Sequence, residues 1–134
     1  MQYMSIQTQL SQLTDGLYVI SESDYPFEVL TLDPEMTVAA LTPEDILLQL
    51  DPLAVAWQNR TPDEFLGRMC RIADWMTEEE CATANRFAAL LSFVNNDSDA
   101  VGVFKIGIIK IECYIIGRTC AGEWWAIKTH TVET

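Results

Sequence analysis

The segment that most narrows what this chain can fold into lies near its C-terminus. From Ile108 to Ile116 the residues alternate, Ile109, Ile111, Cys113 and Ile115 on one face against Lys110, Glu112 and Tyr114 on the other, the period of a β-strand. Gly117 to Gly122 reads as a hairpin loop. Glu123 to Val132 reads as the return strand, with Trp125, Ile127, Thr129 and Thr131 on one face and Trp124, Ala126, Lys128, His130 and Val132 on the other. The C-terminal tail therefore leaves the end of a sheet strand and is positioned, where most termini fray. Val101 to Ile106 supplies a further β-rich run, broken by Gly107.

The middle of the chain repeats one helix-starting device. Thr42-Pro43-Glu44-Asp45, Thr61-Pro62-Asp63-Glu64 and Thr77-Glu78-Glu79-Glu80 each place a threonine before an acid at the third helical position, the capping-box pattern, twice with proline at the first helical position. Helices are expected over Pro43 to Leu50, over Pro62 to about Ala73 with Phe65, Met69 and Ile72 buried, and over Glu78 to about Val94. The last should bury Cys81, Ala84 or Asn85, Ala88 and Leu91, flanked by Phe87 and Leu90, and end at Asn95–Asp99. Leu53 to Trp57 reads as a strand. Nearer the start, Ile6, Leu10 and Leu13 space an amphipathic helix over residues 2 to about 14 that Asp15-Gly16 stops. Leu17–Ile20 and Phe27–Leu32 read as short strands able to form a hairpin, although Leu17–Ile20 is too short for periodicity to decide strand against helix. Met36 to Leu41 fits neither pattern.

Between those runs, Ser21-Glu22-Ser23-Asp24-Tyr25-Pro26-Phe27 sets two carboxylates and two hydroxyls on a polar loop, with Pro26 restricting Tyr25 to extended conformations. A short loop held at both ends presents side chains at little ordering cost, so this is the expected working surface. Tryptophans usually pack in cores. Trp75 departs from that expectation because Asp74-Trp75-Met76-Thr77 links two helices, which makes it an interface anchor with Asp74 beside it.

With 134 residues, 49% of them hydrophobic, the chain reads as one domain, 1–134, with a full core. Twenty acidic residues against eight basic ones leave a net charge of −12, which repels nucleic acid and anionic membranes and attracts a basic protein. Met1 to Gln12 lacks the basic start and apolar run of a secretory leader, and no segment reaches membrane-spanning length, so the expected location is the cytoplasm. Cys70, Cys81, Cys113 and Cys120 form no C-x-x-C pair, and with His130 as the sole histidine a zinc site is not expected. Reduced thiols are the expectation, Cys70 and Cys113 in apolar patterns and Cys120 in a turn, while spacing leaves a disulfide open. No nucleophile and base, metal cluster or glycine-rich phosphate loop is visible, so the chain does not read as an enzyme.

Asp15-Gly16-Leu17, Ser21-Glu22-Ser23-Asp24-Tyr25-Pro26-Phe27-Glu28-Val29, Tyr114-Ile115-Ile116-Gly117 with Ala121-Gly122, and the closing Val132-Glu133-Thr134 resemble the nuclease A inhibitor family nearly end to end. The resemblance implies an α/β/α sandwich similar to pathogenesis-related-protein-like folds: an α+β domain with a largely antiparallel sheet flanked by helices. It implies a monomer that forms a 1:1 complex with a basic, non-specific, magnesium-dependent sugar nuclease of DNA and RNA. The residues matching the family's contacts are Glu22 and Thr134, which would enter the nuclease active site, and Trp75 in the contact region. Asp24, Asp74 and Glu133 are supporting charges. A magnesium ion would bridge the two proteins through Glu22 or Thr134 in the complex only, with no cofactor in the free protein. The chemistry agrees, because a glutamate and a chain-terminal carboxylate can each stand in for phosphate oxygens toward arginine or a hard cation. Two departures stand out: Cys120 where the family tends to proline, and the bulk of Trp124-Trp125. The alternative from another class is an acidic adaptor or nucleic-acid mimic that binds a non-enzymatic basic protein through charge alone.

Overall fold

The computed structural model of the chain describes residues 5–54 and 56–133. Helix α1 (Ile6–Thr14) starts at Ser5, whose Oγ accepts from the Thr8 amide, and buries Ile6, Leu10 and Thr14. Strands β1 (Tyr18–Ile20) and β2 (Asp24–Pro26) pair with each other, and β3 (Glu28–Leu30) follows. Next come α2 (Pro34–Val38), α3 (Pro43–Leu50), β4 (Gln58–Arg60), α4 (Pro62–Leu66), a 3-10 turn (Gly67–Cys70) and α5 (Glu78–Asn96). The chain closes with β5 (Ser98–Ile106), β6 (Lys110–Thr119) and β7 (Trp124–Val132). The main sheet is antiparallel throughout, in the order β3-β7-β6-β5-β4.

This sheet is covered on both faces. On one, Leu10 of α1, Leu66 of α4 and Phe87, Leu90 and Val94 of α5 pack on Val103, Ile115, Trp125 and Ile127; on the other, Ala40 and the α3 residues Ile46 and Leu47 pack on Phe104, Tyr114, Ile116, Trp124 and Ala126. The result is an α+β domain with helices flanking a sheet. Double coverage explains why Cys113 to Gly117 are buried in succession although the residues alternate: the outward face of the strand has its own helical layer. Gly117 is where the two central strands allow no side chain. A Cβ there would stand 2.4 Å from Cζ2 of Trp125, the opposed residue on β7.

All three capping boxes form, each threonine Oγ accepting from the amide of the acid three residues on while that acid accepts from the threonine amide. Other expectations need correction. Leu17–Ile20 does not pair with Phe27–Leu32: β1 turns back on β2 inside the polar segment, and β3 joins β7. The strand expected at Leu53–Trp57 lies instead at Gln58–Arg60, an edge strand whose polar residues carry no apolar pattern; Leu53 is 85% exposed and Val55 falls outside the described residues. The second helix ends at Leu66 because Gly67, the poorest helix former after proline, opens a tighter 3-10 turn, so Ile72 lies on the surface. On α5 the buried stripe is Ala84, Phe87, Leu90, Phe93 and Val94; Asn85 and Ala88 are exposed, Cys81 and Leu91 partly buried. Ile109 precedes β6 and is exposed, since the turn at Gly107, with φ +116°, carries the chain clear of the sheet.

Candidate functional site

The polar loop is itself the tip of the β1–β2 hairpin, and that hairpin is stitched to the end of β7. Ser21 Oγ donates to the Ser23 carbonyl at 2.7 Å, closing the tip, and accepts from the Val132 amide at 3.0 Å. The Glu22 amide donates to the Val132 carbonyl at 3.4 Å. Below the tip, Thr129 Oγ1 donates to the Pro26 carbonyl at 2.9 Å and the Tyr25 ring leans on His130. Tip and strand end therefore move as one piece.

The strand end is held from the other side as well. Glu133 donates its amide to Ile109, and its carboxylate receives Lys105 Nζ at 2.8 Å and the Thr131 hydroxyl at 2.9 Å. The hydrogen bond from Lys105 keeps the Glu133 carboxyl below the ordinary glutamate range, against the opposing effect of partial burial. A carboxyl held low in the fold stabilises above its unfolded value and loses that contribution as pH falls through its folded value. Lys105→Met should therefore lower the melting temperature at pH 7, by an amount reflecting on the order of 1 kcal/mol or less for a partly exposed pair. The gap from wild type should shrink below about pH 4, where glutamate protonates. A gap as large at pH 3 as at pH 7 would show that the ion pair contributes nothing.

Glu22 and Glu133 share a groove of about 1150 Å³ with Trp75 and Met76 of the α5 approach and Thr83 of α5 itself. Trp75 is 78% exposed, as its polar neighbours led one to expect. Asp24 and Asp74 are exposed but do not line the groove; they flank Glu22 and Trp75 along the chain. Thr134 lies outside the described residues, directly after Glu133. Four basic residues that sequence reasoning passed over as scattered, Arg60, Arg68, Arg71 and Lys105, also line the groove. The one signal pointing to them was the nearness of Arg68 and Arg71 to Trp75 in the chain.

The family model described as nuclease A inhibitor-like protein matches residues 4–134. The chain belongs to that family. A search of curated proteins found no match. Family membership extends across every element of the site, from the β1–β2 hairpin through the Trp75 link to the end of β7. Among the described residues, no group of three or more His, Cys, Asp or Glu is placed to hold a metal ion, and no helix is long and apolar enough to cross a membrane. The four cysteines are free thiols; Cys120 is exposed in the β6–β7 turn, whereas burial pushes the Cys113 thiol up to about 11, so it stays protonated.

Proposed function

We propose that this member of the nuclease A inhibitor-like family blocks a non-specific, magnesium-dependent nuclease by placing Glu22 and the C-terminal carboxylate of Thr134 in its active site. The observation that carries this reading is the backbone bond from Glu22 to Val132. It sets the tip of the hairpin against the strand whose continuation carries Thr134. The two acids come from opposite ends of the sequence, yet they would approach a partner together. Magnesium prefers oxygen ligands and is usually held by only one or two carboxylates, so a single inhibitor carboxylate completing the coordination of the nuclease's own ion fits its chemistry. The Glu22 carboxylate is a hard ligand on an exposed tip. Trp75, with Asp74 beside it, would anchor the flank, Asp24 and Glu133 would add negative charge, and the protein would act in the cytoplasm as a monomer in a 1:1 complex without turnover of its own.

The test is inhibition of such a nuclease by the wild type, by Glu22→Ala, by a chain ending at Glu133, and by a full-length chain amidated at Thr134. Both the shortened and the amidated chains should inhibit less well, the difference being largest with magnesium present. Equal inhibition by all four would overturn the mechanism. Binding that merely fades with salt and ignores all three changes would point instead to an acidic adaptor acting through charge alone.

A further inference from the structure

The groove that holds Glu22 is not uniformly acidic. In a chain with net charge −12, four of the eight lysines and arginines line it. Two of these are already engaged within the fold. Lys105 is paired with Glu133, and the Arg60 guanidinium donates to the Asn59 carbonyl and to Gln58 Oε1. Arg68 and Arg71 differ: both are exposed, and neither makes a hydrogen bond or ion pair to any described residue. Glu64, Glu79 and Glu80 also line the groove, the first and last accepting the amides of their own capping boxes, and among the described residues no ion pair joins any of the three to Arg68 or Arg71.

Such an arrangement has consequences for what can seat there. Glu22, Trp75, Arg68 and Arg71 line one groove, so a partner that fills it from Glu22 to Trp75 would meet Arg68 and Arg71 as well. A uniformly basic surface would meet two unpaired guanidiniums at the flank of its own docking site, and burying like charges without partners is costly. We infer that Arg68 and Arg71 form a cationic receptor for carboxylates on the nuclease, so that the partner surface is divided in charge: cationic or metal-bearing where it meets Glu22, anionic where it meets the 3-10 turn and the link that follows. The inference rests on the inhibitor reading above and adds a second, opposite charge requirement to it. Guanidinium is suited to the task, its planar fork taking a carboxylate through two parallel hydrogen bonds. The two arginines would then select among nucleases by the acids flanking the catalytic cleft.

The experiment measures association and dissociation rates, and inhibition, for the full-length wild type against a magnesium-dependent non-specific nuclease that it inhibits. Beside it stand Arg68→Glu/Arg71→Glu, the milder Arg68→Gln/Arg71→Gln, and Glu22→Ala. Charge reversal should weaken binding by about tenfold or more at low salt, largely through slower association, with the gap closing as salt rises; the glutamine pair should show the same trend at smaller size. Because neither arginine has a partner among the described residues, melting temperatures should stay near that of the wild type. If Glu22→Ala abolishes inhibition while both arginine pairs bind like wild type, the receptor is overturned and the inhibitor reading stands. Tighter binding after charge reversal would show a basic surface facing the turn and overturn it equally. If Glu22→Ala inhibits as the wild type does, the placing of Glu22 in the active site falls, and the two arginine pairs still decide the receptor by whether they weaken binding.

Discussion

Glu22→Ala should weaken inhibition by a factor of about 30 to several thousand, the range that follows from the roughly 2–5 kcal/mol lost when one partner of a buried charged pair is truncated. The size comes from what is left behind. Glu22 is exposed on the hairpin tip, so a large effect of its loss would be read at the interface with the partner. In the complex, a nuclease arginine or magnesium ion desolvated by the rest of the interface would have lost its ligand. The hairpin itself stays in place, since Ser21 and the backbone amide of residue 22 make the bonds to Val132 whatever the side chain. The loss should therefore appear as faster dissociation by a chain that still melts cooperatively, checked by calorimetry beside the inhibition assay. A variant that inhibits poorly because it has melted, or one that inhibits as well as wild type, would each remove Glu22 from the role assigned to it.

Trp125→Ala is the counterpart in stability. Trp125 is 2% exposed, packs its ring 5.8 Å from that of Phe93 on α5, and fills the space that Gly117 leaves open on the neighbouring strand. Removing it opens a cavity between the central strands and α5, for which a loss of about 3–5 kcal/mol is expected, corresponding to a fall in melting temperature of roughly 10–20 °C. The indole N–H is buried without a hydrogen-bond partner. Trp125→Phe deletes that orphan donor along with part of the ring, so the two effects oppose each other. Its cost should be well below that of the alanine variant. Calorimetry of both variants decides the matter, and equal losses would mean that the tryptophan is held by something other than packing.

The parts of this fold that could be read in advance are those governed by neighbours in sequence. The capping threonines Thr42, Thr61 and Thr77 satisfy amides three residues away, so their helices begin where local chemistry says. The β6–β7 pair was legible because each strand carries its own alternation and the connecting turn is short. What escaped depends on distant partners. Gln58–Arg60 becomes a strand only because β5 offers it an open edge, and Asp24–Pro26 only because β1 folds back on it. The stretch after Leu66 has enough apolar residues for a longer helix, but Gly67 weakens it locally and Met69 and Cys70 find their burial against the α5 layer in another geometry. The site followed the same division. Trp75 could be singled out as a large apolar residue among polar neighbours and Ser21–Phe27 as a polar loop held at both ends, Glu22 being set apart from Asp24 only by the family resemblance, whereas Arg60, Arg68, Arg71 and Lys105 look dispersed until the sheet and the 3-10 turn gather them round one groove.

The bond from Ser21 to the Val132 amide spans 111 residues of chain. Contacts of such separation are costly in loop-closure entropy and tend to form late in folding. The hairpin tip thus has no local foldability of its own: neither the hairpin nor the final strand, excised as a peptide, has the other to brace it. Any nick or partial unfolding that frees β7 would release the hairpin tip and the strand end in a single event. Under the proposed inhibitory role, activity would report on the integrity of the whole sheet, and a damaged copy would be silent rather than half active.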